Sequence, residues 1–205
     1  MKTLIAIPCM DKIDALFMSS VLRLRLVEET EFTLAINSLI YDSRNRLAGK
    51  AMSEGFDRVL WLDSDMIFPA DLLERLTARL DSGCEFVSGL YFSRKVPVEP
   101  VIYSDVGFGE NGQPARTPYH DYPKDQIFEV AGAGFGCCMT TTDLLRRAAR
   151  EDGYPFSPRL GFGEDLSFCL RVAELGVPMF CDSSVKCGHL AHTEVTEETY
   201  LRGGS

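Results

Sequence analysis

The chain has 205 residues, 45% hydrophobic and 25% charged, a globular composition long enough to bury a sizeable core, which excludes disorder over most of it. Lys+Arg 21 against Asp+Glu 30 leave a net charge of −9, which argues against non-specific binding to nucleic acid or anionic membrane, since both need a basic surface. An acidic chain that handles an anionic substrate needs a local cation, so a metal ion enters the argument early.

Apolar β-favouring runs alternate with helical patterns through the first half, as in a sheet with crossover helices. Thr3 to Ile7 reads as a first strand. Ile13, Leu16, Phe17, Ser20, Leu24 and Val27 recur at helical spacing and predict one buried stripe. Phe32 to Ile36 is a second strand, Asp42 to Glu54 a helix stopped by Gly55, and Arg58 to Leu62 a nearly all-apolar third strand of the kind covered on both faces. Pro69 opens a helix with Leu72, Leu76 and Leu80 on its core face, and Phe86 to Leu90 is a fourth strand. From Ser93 to Asp125 frequent Pro and Gly predict a hairpin or loop excursion. Chain order resumes with Phe128 to Val130, a Gly-rich segment 131–136, a strand from Cys137 to Thr140, helices over 143–150 and 164–175, and short strands near Met179 to Cys181 and Val185 to Cys187. These elements form one domain over residues 1–200 with a flexible tail at 201–205.

No run reaches the roughly 18 apolar residues of a membrane span, and the apolar start is too short for a signal peptide. The seven cysteines are odd in number and show no CxxC pair. They read as reduced, buried thiols of a cytoplasmic protein.

Four constellations carry chemistry. Strand Arg58 to Leu62 runs into Asp63-Ser64-Asp65; side chains at i and i+2 leave a strand on one side, so both carboxylates can converge on one cation. Capping a turn is the competing role of such aspartates. Gly163-Glu164-Asp165 opens a helix, where the dipole keeps carboxylates ionised and suits a general base, although acidic first turns also serve stability alone. His189 and His192 are two of three histidines; imidazole is a good ligand for Mn²⁺, and a hydrogen-bonded structural histidine is the alternative. Arg44 heads the second helix, where a guanidinium can contact phosphate or simply be solvated. The Gly-rich run lacks the Lys-Ser/Thr ending of a phosphate loop, no dinucleotide fingerprint follows the first strand, and no Gly-x-Ser-x-Gly elbow occurs.

The order of these motifs, from a strand ending in Pro8 through Arg44-Asn45, Asp63-Ser64-Asp65, the Gly-rich strand and Gly163-Glu164-Asp165 to Gly188-His189, resembles that of the GT-A glycosyltransferases, in particular small family-two-like bacterial and phage-associated members. The resemblance covers residues 3–192. It implies a three-layer α/β/α mixed sheet and transfer of a sugar from a nucleotide diphosphate donor to an acceptor hydroxyl, with inversion at the anomeric carbon. By the same resemblance Asp63, Asp65 and His189, or His192 in its place, would hold Mn²⁺ or Mg²⁺. Pro8, Asp11, Arg44, Asp63 and Ser64 would line the nucleotide site, Asp165 would be the base, and Glu164 would contact the acceptor. The segment 93–125 and Tyr91, Gly134 and Phe135 would form the acceptor side, with aromatic rings of the segment available to stack on a sugar or to support a homo-oligomer contact. A sugar-phosphate nucleotidyltransferase and a non-catalytic sugar-nucleotide-binding module are the alternatives; the first usually carries a Gly-rich basic loop after strand one, where this chain has Pro8-Cys9-Met10-Asp11-Lys12.

Overall fold

The structure is a computed structural model that describes residues 1–27, 29–149, 153–159 and 161–191. The alternative ligand His192 and the tail lie outside the described residues. In chain order the elements are β1 (Thr3–Cys9), α1 (Ala15–Arg23), β2 (Thr30–Ile36), α2 (Ile40–Ser53), β3 (Arg58–Leu62), β4 (Met66–Ile67), α3 (Leu72–Asp81), β5 (Phe86–Leu90), β6 (Ile102–Phe108), β7 (Pro114–Pro118), β8 (Ile127–Val130), β9 (Gly132–Ala133), β10 (Cys137–Thr141), α4 (Thr142–Ala149), α5 (Glu164–Glu174), β11 (Met179–Lys186) and β12 (Gly188–His189).

Seven strands form one mixed sheet in the order β2-β1-β3-β10-β5-β11-β8. The strands β1, β2 and β3 run parallel, whereas β10 inserts antiparallel between β3 and β5. The two apolar faces explain why β1, β3 and β5 are buried along their whole length. One face is covered by α2, α4 and α5 through Leu47, Leu144, Leu145 and Leu166, the other by α1 and α3 through Phe17, Leu72 and Leu76. This is the expected three-layer arrangement.

The structure corrects several local expectations. In α1, capped by the Asp14 side chain on the Leu16 N–H, Phe17 and Ser20 are the buried residues, while Ile13 and Leu16 face solvent, because the helix packs only one narrow stripe on the sheet. The expected short strands near 180 and 186 are one strand, β11, with a register shift between Asp182 and Lys186. The excursion 93–125 holds the hairpin β6–β7, which joins β9 in a separate three-stranded sheet. Of the cysteines, all free, Cys84 is half-exposed and the others are buried.

Under the Gly-rich segment the rings of Trp61, Phe86, Phe135, Phe156 and Phe168 stack edge to face or in parallel, with centroids 4.9 to 6.4 Å apart. The Trp61 indole N–H donates to Thr140 Oγ1 at 3.0 Å, so its polar edge is satisfied inside the core. Above this floor the backbone at Gly134 must pass close to its neighbours: a Cβ there would collide with the buried Tyr91 hydroxyl and lie 2.6 Å from Val101 Cγ1. Gly134→Ala is therefore expected to destabilise the fold by about 1–3 kcal/mol, the cost of forcing a methyl into a packed interior. Urea unfolding checks this, with Gly107→Ala, which meets nothing within 4 Å, as the neutral control.

Candidate active site

The strand order reverses between β1 and β3, and the carboxyl end of β3 is where an open α/β sheet places its ligands. There Asp63, Ser64 and Asp65 turn the chain before β4, with the Asp63 N–H donating to the Gly136 carbonyl at 3.0 Å and the Met66 N–H returning to the Asp63 carbonyl at 3.1 Å. The two carboxylates part company after this turn.

Asp63 faces inward. Arg44, 2% exposed on the buried side of α2, donates from Nη2 to Asp63 Oδ1 at 2.8 Å, from Nε to Glu164 Oε1 at 3.1 Å and from Nη1 to the Phe135 carbonyl at 3.4 Å. Its guanidinium also lies 5.3 Å from the Phe135 ring centroid. Burial opposes the charge of Arg44, but Asp63 and Glu164 outweigh it and hold the guanidinium protonated. Burial likewise pushes the Asp63 carboxyl up from its ordinary value, and Arg44 pulls it back. Arg44 thus ties α2, the end of β3 and the start of α5 together through ion pairs to Asp63 and Glu164, so the residues that the resemblance places at the nucleotide and at the acceptor are partners in one network.

Asp65 faces the opening. The small ladder of β12 on β4 sets His189 against Met66, and the Leu190 N–H donates to the Asp65 carbonyl at 2.9 Å. His189 Nε2 consequently lies 3.6 Å from Asp65 Oδ1, while its Nδ1 donates to the Phe92 carbonyl at 3.0 Å. Arg94 takes the other oxygen, Nη1 to Asp65 Oδ2 at 2.7 Å. Burial works against the Asp65 charge, yet His189 and Arg94 hold the carboxyl below its usual value; burial lowers His189, and Asp65 and the Phe92 carbonyl raise it further than that. Beside this cluster is a cavity of about 350 Å³ lined by Lys12, Ile13, Asp14, Ala15, Ser64, Asp65 and Arg94. Ser64 is on its wall. Pro8 is buried inside β1, and the residues after Asp11 rather than Asp11 itself line the space.

Asp165 stands at the first turn of α5, its Oδ1 accepting the Leu166 N–H at 2.7 Å. Burial, with Glu164 adding to it, lifts the Asp165 carboxyl above its ordinary value, and the Leu166 N–H draws it back in part. Tyr91 is 4% exposed; its hydroxyl accepts the Gly136 N–H at 3.1 Å and its ring meets His189 edge to face at 5.6 Å. Phe135 is 1% exposed in the aromatic floor, so its ring is closed to an acceptor. Tyr119 and Tyr122 pack on Phe128, and the buried Tyr103 ring lies under Arg116.

A donor set can be tested on these contacts. Among the described residues no three His, Cys, Asp or Glu side chains gather as a metal-holding group. Asp65 and His189 do converge, with His189 Nδ1 fixed by a carbonyl so that Nε2 points toward the carboxylate, the second-sphere arrangement that orients a ligating imidazole. Two protein ligands suit a hard cation that completes its sphere with phosphate oxygens. Lys12 and Arg94 are the site residues that sequence reasoning missed; a basic pair, Arg94-Lys95, in an acidic chain was the available signal.

No protein-family model matches the sequence, and no curated protein matches it. Solved structures do match. The chain superimposes on the crystal structure of A197 from STIV with a TM-score of 0.70 at 18% identity, over 94% of this chain and 87% of that one. It superimposes on GalNAc-T7, solved with UDP, GalNAc and Mn²⁺, with a TM-score of 0.65 at 11% identity, over 94% of this chain and 44% of that one. The fold is of the GT-A type. In this GT-A fold the β4–β12 ladder sets His189 beside Asp65 at the carboxyl end of β3, and the chain spans less than half the length of GalNAc-T7. No helix of the described residues is long and apolar enough to cross a membrane.

Proposed function

We propose that the protein is a glycosyltransferase that moves a sugar from a nucleotide diphosphate donor to an acceptor hydroxyl. The observation that carries this reading is the grouping, in a GT-A fold, of Asp65 with His189 and Arg94 beside a cavity, with a buried carboxylate, Asp165, near enough to Asp63 at the same strand end to interact with it. Asp65 and His189 would hold Mn²⁺ or Mg²⁺, which when bound neutralises charge on the departing diphosphate. Lys12 and Arg94 offset Asp14 and Asp65 on the cavity wall, so a bound cation would make the site positive toward an anionic donor in an acidic chain. Asp165 accepts the acceptor's proton during in-line attack on the anomeric carbon, and burial makes its carboxylate a stronger base than a solvated aspartate. Asp63, Glu164 and Arg44 keep the two halves of the site in register. Attack from the face opposite the leaving group inverts the anomeric centre; proton NMR of the first product reads the configuration, and retention overturns that part of the proposal.

Thermal-shift titration with UDP, GDP, CDP and dTDP, each with and without Mn²⁺, tests the donor site. A ligand at one hundred times its dissociation constant stabilises by about 2.7 kcal/mol. Stabilisation by one nucleotide that requires Mn²⁺ and disappears in Asp65→Ala is the expected result. No shift with any nucleotide removes the donor site and leaves a GT-A fold without this activity.

A further inference from the structure

The hairpin tip that carries Arg94 separates two cavities. Its arms are joined where Phe92 bridges Pro100, the Ser93 N–H donates to the Glu99 carbonyl at 2.8 Å, and the Glu99 N–H returns to Ser93 Oγ at 3.2 Å. On one side Arg94 reaches Asp65 and the donor cavity. On the other side the tip closes a second cavity of about 250 Å³, whose wall includes Ser93, Lys95, Glu99, Val101, Tyr103 and Arg116.

This second cavity is tied to the reaction centre by backbone. The Val101 N–H donates to the Tyr91 carbonyl at 3.0 Å and its carbonyl accepts the Gly134 N–H at 3.0 Å. Tyr103 pairs with Gly132 of β9, and at Gly132 a Cβ would meet Leu166 and Cys169 of α5 at 3.3 Å, so the strand under the cavity lies on the helix that opens with Glu164 and Asp165. Tyr103 is near enough to Asp165 that, after burial, its carboxylate contributes to raising the phenol. The cavity is smaller than the roughly 300–1,000 Å³ of pockets for drug-sized ligands, which sets its capacity at about one sugar unit.

Its wall carries two cations, Lys95 and Arg116, against one carboxylate, Glu99, in a chain of net −9. Arg116 lies 5.6 Å from the Tyr103 ring centroid, and among the described residues neither Arg116 nor Lys95 has a carboxylate within ion-pair range. Arg94, next in sequence to Lys95, is by contrast paired with Asp65. Two uncommitted cations on one small wall offer charge-assisted bonds to an anion, and Glu99 offers an acceptor to sugar hydroxyls.

Building on the transferase reading, we propose that this cavity is the acceptor subsite and that the acceptor is an anionic sugar, one bearing a phosphate or carboxylate that Lys95 and Arg116 recognise. Lys95 and Arg116 then determine specificity and touch no reacting atom, whereas Glu99 and the Tyr103 ring set the pose of the sugar.

Isothermal titration of the full chain with glucose 6-phosphate, glucuronate, glucose and inorganic phosphate tests this directly, without donor. The two anionic sugars are expected to bind at least tenfold more tightly than glucose, with the phosphate and carboxylate arms distinguishing the two sources of charge. Lys95→Ala with Arg116→Ala removes that preference while leaving the melting temperature and the nucleotide–Mn²⁺ shift unchanged, since both side chains are exposed and outside the donor cavity. Arg116→Glu is expected to weaken the anionic sugars further and leave glucose unaffected. Equal binding of glucose and the anionic sugars, no binding of either, or equal binding of inorganic phosphate and glucose 6-phosphate overturns the proposal. Anionic-sugar binding in a chain that binds no nucleoside diphosphate overturns the transferase reading and leaves the cavity an anionic-sugar site that is not an acceptor site, whereas nucleoside diphosphate binding without anionic-sugar preference overturns the subsite alone.

Discussion

Asp165→Asn is expected to lower the transfer rate by about 10²–10⁴-fold, the range a positioned general base supplies, with nucleotide binding retained. Asparagine keeps the shape of the side chain and a carbonyl oxygen for the Leu166 N–H, so the loss falls on proton transfer and appears in kcat. The pH profile gives a second readout. A base must be deprotonated to act, and burial with the neighbouring Glu164 raises the Asp165 carboxyl. The acid limb of kcat/KM in the wild type therefore falls at a higher pH than a solvated aspartate would set, and activity declines as pH drops through that value. Loss of this limb in the residual activity of Asp165→Asn supports the assignment; an unaltered rate and profile in the variant excludes Asp165 as the base.

Arg44→Met is expected to cost about 3–5 kcal/mol of stability, the usual consequence of removing one partner from a buried ion pair. The methionine fills part of the volume, but Asp63 and Glu164 are then left as neighbouring carboxylates with no counter-charge, their side chains 31% and 14% exposed. At about 2–4 °C per kcal/mol for a chain of this size, the melting temperature drops by roughly 6–20 °C. Adding Glu164→Gln should recover part of the loss, because one of the two stranded charges is removed. A melting temperature within about 2 °C of wild type, with weakened nucleotide binding, would instead place Arg44 at the donor, as its position in the motif order implied.

Much of the scaffold was legible because its signals are local. The apolar run Val59-Leu60-Trp61-Leu62 marks a strand covered on both faces, and it is buried throughout as β3. Pro69 ahead of the Leu72, Leu76 and Leu80 stripe marks α3, whose buried residues include those leucines. Ile13, ahead of α1, and Leu16 within it face solvent despite their apolar spacing, since spacing reports a possible face and not how wide a face the sheet can cover. The β4–β12 ladder was invisible, as two residues on each side carry no periodicity, although it is what sets His189 beside Asp65.

The sequence by itself determined the alternation of strands and helices and the carboxylate-bearing turn at the end of β3, because hydrophobic periodicity and turn chemistry act over a few residues. Only the tertiary structure decided the partners within the site. Asp63 and Asp65 differ by two positions, yet one is drawn to Arg44, 19 residues away, and the other to His189 and Arg94. Arg44 also reaches Glu164 across 120 residues, and His189 reaches the Phe92 carbonyl across 97. Such pairings follow from which strands lie side by side and from the need to satisfy a buried charge, and neither is encoded in the spacing of a motif.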